Sequence, residues 1–194
     1  MPVYPRLKCI FIHIPKTGGQ SLHKALKEID DLYYNDGVVE FIPQTARQLR
    51  QRIQFETFFK FSIVRNPLDR MISEYFFSKQ YRPYLLNKDL NFDEYVKAVS
   101  ELDTSVLPHI VANHLYTQFD FLYDENGKRL VDYVGRFEKL QDSVDEIGKR
   151  INQKIVLPHL NKSKRVDFKY SQSTVDLIQK MYFNDYIHFG YNFM

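Results

Sequence analysis

A lysine followed by small residues and paired glycines, in Pro15-Lys16-Thr17-Gly18-Gly19-Gln20-Ser21, suits an oxyanion. The glycines allow a sharp main-chain turn and bring N–H groups close to a ligand. A helix beginning there adds orphan N–H groups and a partial positive charge. Lys16 and the hydroxyls of Thr17 and Ser21 would complete a cradle for phosphate or sulfate. The order is not that of a Walker A loop, which ends in Gly-Lys-Ser/Thr. Here the lysine precedes the glycines. A second candidate is Arg65-Asn66-Pro67-Leu68-Asp69-Arg70 with Ser73 beyond it: Arg65 closes an apolar run, and Ser73 falls two turns into a helix.

The flanking patterns say which elements position these groups. Cys9 to Ile14 is a short apolar run rich in β-branched residues, which predicts a strand over about 8–14. Leu22, Ala25, Leu26 and Ile29 share one helical face, so a helix is expected over about 19–30. Phe58 to Val64 reads as a buried strand. Asn66 then suits an N-cap, Pro67 the first helical position and Asp69 the first turn of a helix over 67–79. Both motifs therefore follow strands, and ligands of open α/β sheets bind at the carboxyl ends of strands. Further along we expect a helix near 44–54, helical segments including Phe92 to Glu101 and Pro108 to Leu115, and a hairpin-like excursion around Asn126-Gly127. A strand at 130–136, a helix at 139–152, a short strand Ile155–Leu157 and a last helix capped by Ser173 complete the chain. Alternating strands and helices predict an α/β, P-loop-like three-layer domain with a central parallel sheet flanked by helices. Residues 1–194 are expected to form one domain.

Pro15-Lys16-Thr17-Gly18-Gly19 resembles the 5′-phosphosulfate loop of sulfotransferases that use PAPS (3′-phosphoadenosine 5′-phosphosulfate). Arg65-Asn66-Pro67-x-x-Arg70-x-x-Ser73 resembles the 3′-phosphate motif of the same family. Gly135-Arg136-Phe137-Glu138 and the loop Leu157-Pro158-His159-Leu160-Asn161-Lys162-Ser163 extend the likeness over roughly residues 8–192. The resemblance is closest to the carbohydrate, heparan sulfate 2-O-sulfotransferase-like branch with its small bacterial members. It implies PAPS as sulfuryl donor and PAP as product. Residues 16–21 (Lys16, Thr17, Gly18, Gly19, Gln20, Ser21) would hold the 5′ end, and Arg65 and Ser73 the 3′-phosphate. Lys162, Ser163, Lys164 and Arg165 would lie over the nucleotide. Lys16 would stabilise the leaving oxygen, and an acceptor hydroxyl, on a carbohydrate, would attack in line. The scheme requires neither ATP nor a metal.

The general base departs from the pattern. Bacterial relatives often carry a histidine between the first helix and the Arg-Asn-Pro strand, where this chain has Pro43. Glu40 stands either as the substitute base or as a solvated loop acid. His109 and His114 lie in the variable segment, and His13 reads as structural. Two alternatives stay open: a PAP(S)-binding protein with little catalysis, and a P-loop nucleotide kinase, disfavoured by the missing Gly-Lys-Ser/Thr. Tyr75, Phe76, Tyr81, Arg82, Tyr84 and Lys88 could stack on sugar faces or pair with acidic glycans. Core packing is the plainer expectation for the helical aromatics.

Composition narrows the field. The chain has 194 residues, 44% of them hydrophobic, and 26% charged, which describes one globular core. A formal charge of +3 suits anionic ligands but is too mild to argue nucleic-acid binding. Zinc spacing cannot be built on one cysteine, and Cys9 reads as a small buried hydrophobe. With no signal or anchor pattern visible, a cytoplasmic bacterial or phage-type enzyme is expected.

Overall fold

The computed structural model describes residues 2–35, 45–50, 55–81, 89–101, 112–158 and 168–194. In chain order the elements are β1 (Pro2–Tyr4), β2 (Cys9–Ile12), α1 (Gly19–Ile29), β3 (Tyr34–Asn35), α2 (Ala46–Arg50), β4 (Phe59–Val64) and α3 (Pro67–Tyr81). They continue with α4 (Phe92–Ser100), α5 (Ala112–Leu115), α6 (Gln118–Leu122), β5 (Tyr133–Arg136), α7 (Leu140–Arg150), α8 (Gln172–Met181) and α9 (Phe183–Phe189). Short 3-10 turns at Phe55–Thr57 and Phe137–Lys139 precede β4 and α7. The chain divides into two units, residues 1–65 with 118–162, and residues 66–117 with 163–194.

The first unit is an α/β layer structure around a five-stranded sheet of order β3-β1-β2-β4-β5. The three strands β2, β4 and β5 are parallel, as expected. Two short strands, β1 and β3, extend the sheet antiparallel at one edge, so the whole sheet is mixed. The sequence pattern misses them because three and two residues carry no periodicity. Their place is set by Asp30, fully buried at the end of α1. Its carboxylate accepts from the backbone N–H of Arg6 (2.8 Å), Leu7 (3.2 Å) and Leu32 (3.1 Å). One face of the sheet packs Phe11, Phe61 and Ile63 against Leu22 and Leu26 of α1 and Val144 and Ile147 of α7. The alternate residues Ile10, Ile12 and Ser62 are equally buried, so both faces are covered, as a parallel sheet requires. Lys60 shares that second face. Its ammonium donates to the carbonyls of Phe58 (2.9 Å) and Phe55 (3.3 Å) and pairs with Asp132 at 3.1 Å. Asp132 also accepts from the Lys60 N–H at 2.7 Å, which pins the start of β5 to β4.

Three local expectations change. The hairpin around Asn126-Gly127 is instead helix α6, a turn with Gly127 at φ 74° and a single antiparallel bridge between Tyr123 and Arg129. The turn residues behave as expected, but the flanking aromatics lie in a helix, with Phe121 buried and Phe119 stacked on Tyr123 at 4.4 Å. Ile155–Leu157 forms no strand: Gln153 N–H closes the end of α7 by donating to Gly148 O (2.9 Å), and residues 153–158 then adopt no regular structure. The last long helix is capped by Ser171, not Ser173. The Ser171 hydroxyl accepts from Thr174 N–H at 3.2 Å, and a second helix, α9, follows.

The second unit is helical. Asn91 and Glu94 form a reciprocal capping box at the start of α4. Asp93 on α4 then accepts from the Thr174 hydroxyl (2.5 Å) and the Ser171 N–H (3.1 Å), joining α4 to α8. Tyr75 of α3 is buried among Phe92, Tyr95 and Phe168, and its hydroxyl donates to Leu90 O at 2.9 Å. No helix among the described residues is long and apolar enough to cross a membrane.

Candidate functional site

Strand β2 ends at Ile12, and the chain then turns through Pro15 to Gly18 into α1. Two residues of this turn adopt left-handed backbone, Lys16 (φ 68°) and Gly18 (φ 80°). Glycine accepts that region freely. For lysine it costs on the order of 1–2 kcal/mol, so the surroundings must hold it. Arg65, at the carboxyl end of β4, does so: its Nη1 donates to the Lys16 carbonyl at 3.2 Å. The Thr17 side chain is fully buried and its hydroxyl donates to Ile14 O at 2.9 Å. That proton is committed, which leaves the Thr17 main-chain N–H as the donor this residue can offer an anion. Gln20 is exposed and Ser21 half-buried in the first turn of α1, which carries no acidic residue.

The two glycines serve the protein's own packing. A Cβ on Gly19 would lie 2.1 Å from Cδ2 of His13, and one on Gly18 would lie 3.0 Å from Cε2 of Phe137. His13 stacks on Phe11 with ring centroids 5.4 Å apart, so its packing wedges the loop against the strand. Cys9 is fully buried, and burial, with a smaller contribution from the Asp30 charge, pushes its thiol up to about 12. It is inert at neutral pH, as the sequence suggested.

Arg65 is held by three groups of the first unit. Its N–H donates to Gln118 Oε1 and its carbonyl accepts from Gln118 Nε2, both at 2.8 Å. Its guanidinium lies 4.4 Å from the Phe137 ring centroid. Gln118 was invisible to sequence reasoning: it lies 53 positions away, and a buried glutamine has no local signature. Asn66 begins the second unit and accepts from the N–H groups of Leu68 (3.0 Å) and Asp69 (3.3 Å), capping α3 as expected. Ser73 lies half-buried on α3. Tyr75, offered as a sugar-stacking residue, is only 5% exposed and belongs to the core of its unit. Phe76 packs edge-on against Phe168. Glu40, Pro43, His109, the four residues Lys162, Ser163, Lys164 and Arg165, and Arg82, Tyr84 and Lys88 lie outside the described residues. His114 does not: its Nδ1 is 3.0 Å from the buried carboxylate of Glu74, which also accepts from Ser78. Among the described residues no group of His, Cys, Asp and Glu is placed to hold a metal.

Two strand ends thus meet in one place: a lysine loop that opens a helix, and an arginine whose guanidinium donates to that loop. No curated protein matches the chain. The model of the sulfotransferase family matches residues 2–192, almost the whole length. This chain belongs to the sulfotransferase family, enzymes that move a sulfuryl group to an acceptor.

Proposed function

We propose that this protein transfers the sulfuryl group of PAPS to a hydroxyl acceptor on a carbohydrate. The observation that carries the reading is the hydrogen bond from Arg65 Nη1 to the Lys16 carbonyl, which ties the Arg-Asn-Pro strand end to the lysine loop. The residues fit such a donor. The helix N-terminus at Gly18–Gly19 has no acid in its first turn, and a lysine and an arginine stand beside it. PAPS, when bound, supplies the sulfuryl group and a nucleotide leaving group.

Lys16 holds positive charge where the bridging oxygen becomes negative, a contribution made mainly in the transition state. The N–H groups opening α1 orient the oxyanion. Arg65, with Ser73 as the second contact of its motif, binds the 3′-phosphate and sets register, and Lys162, Ser163, Lys164 and Arg165 cover the nucleotide. Glu40 is the proposed base for the acceptor hydroxyl. We take the chain to act as one catalytic domain.

PAP should stabilise the protein far more than ATP with Mg²⁺ does; at 100 times its Kd a ligand adds about 2.7 kcal/mol over the unliganded protein. Equal thermal shifts would overturn the nucleotide assignment. Incubation with PAPS and a panel of oligosaccharides, phenols and steroids, read by mass shift, tests the acceptor. Transfer to phenols alone would refute the carbohydrate. Tight PAP binding with no transfer to any acceptor would instead favour a nucleotide-binding protein.

A further inference from the structure

We infer that Phe137 is a positioning residue: its ring fixes the orientation of Arg65 against the Lys16 loop, and thereby the discrimination for a 3′-phosphate. The inference rests on the proposed PAPS reading and deepens it. One ring touches both motifs. Its face lies 4.4 Å from the Arg65 guanidinium carbon, well inside cation–π range. Its edge lies where a Cβ on Gly18 would come within 3.0 Å. Arg65 in turn donates to Lys16 O, so ring, guanidinium and loop form a closed set.

The ring is itself held firmly. Phe137 follows β5 directly and packs on the core cluster between the sheet, α1 and α7. At the corner before it, a Cβ on Gly135 would lie 2.6 Å from Cβ of Ser143, so only glycine lets α7 approach. The Ser143 hydroxyl then accepts from Arg136 N–H (2.9 Å) and donates to Arg136 O (3.1 Å). Strand end and helix are clamped around the residue that precedes Phe137. An aliphatic side chain could fill the same volume, but only a π face orients a planar guanidinium.

The test is isothermal titration with PAP and with 5′-AMP, which lacks the 3′-phosphate. The readout is the ratio of their Kd values. Wild type should prefer PAP. Phe137→Leu should lower that preference about three- to tenfold, Phe137→Tyr should restore it, and Phe137→Leu on an Arg65→Ala background should change nothing further. A filler role would weaken both nucleotides alike, so an unchanged ratio in Phe137→Leu overturns the inference while the PAPS reading stands. If wild type itself shows no preference, the PAPS reading fails and the inference with it. Should Phe137→Leu not fold, Phe137→Met takes its place under the same criteria. Arg65→Lys, which keeps charge but not the planar face, must also lose preference.

Discussion

The two units of this chain are held by different means. In the first, the working parts are fixed by main-chain geometry: left-handed Lys16 and Gly18, a buried Thr17 hydroxyl on Ile14 O, and Arg65 bonded to Lys16 O and paired with Gln118. In the second, aromatic side chains dominate, with the Tyr75 ring 5.2–5.4 Å from Phe76, Phe92 and Tyr95. Capped helices frame that cluster. A backbone-held site fails at single small residues and reports the failure in ligand affinity or turnover. An aromatic cluster fails by volume and reports it in stability.

The largest effect expected on that contrast is in the second unit. Phe92→Ala removes a ring that is 2% exposed and should cost about 3–5 kcal/mol, measured by urea unfolding. A loss below about 1 kcal/mol would mean that the aromatic cluster is not what holds the unit. Lys16→Ala should instead lower kcat about 10²–10³-fold at saturating PAPS, with little change in melting temperature. Near-normal turnover would remove Lys16 from the leaving-group role.

Glycine substitutions sharpen the comparison within the first unit. Gly19→Ala must displace His13 and should cost about 1–3 kcal/mol. Gly127→Ala sits in open space and pays only for its φ of 74°, about 1 kcal/mol. Gly19 has no positive φ of its own, so a loss no larger than that at Gly127 would mean that His13 gives way cheaply and that its approach does not dictate glycine there. In the second unit, Ser171→Ala should cost about 1 kcal/mol and Ser173→Ala distinctly less, because only Ser171 caps α8.

The smallest effect is a pH dependence in the first unit. His23 accepts or donates at 2.6 Å to the Tyr4 hydroxyl. Burial, then the charges of Lys27 and the N-terminus, lower its pKa below the ordinary 6.5. The unfolded chain therefore binds the proton more readily. The stability His23 contributes is complete above pH 6.5 and is lost as pH falls through the lowered folded value. His23→Gln should flatten the stability profile between pH 7 and 5. An unchanged slope would assign that dependence to other groups.

What could be read from residues alone was whatever local chemistry fixes locally. The apolar runs Cys9 to Ile14 and Phe58 to Val64 supplied the parallel strands β2 and β4, Asn66 and Pro67 opened a helix, and the Lys16 and Arg65 motifs fell at strand ends. Helical periodicity placed α1, α3 and α7 to within a few residues. The aromatics of α3 showed the limit: the same spacing fits a ring stacked on a sugar and a ring in a core, and burial of Tyr75 chose the core.

Tertiary structure alone decided the rest, because those features depend on how the chain folds back to bring groups together, most of them far apart in sequence. The edge strands β1 and β3 exist through pairing and through Asp30, not through their own propensity. Gly19 is required because His13, six positions earlier, fills the space a side chain would need. Arg65 acquires its setting from Lys16, Gln118 and Phe137, each more than 45 positions away. A sequence motif names the charges at a site, but their orientation comes from nonlocal packing, which no local spacing encodes.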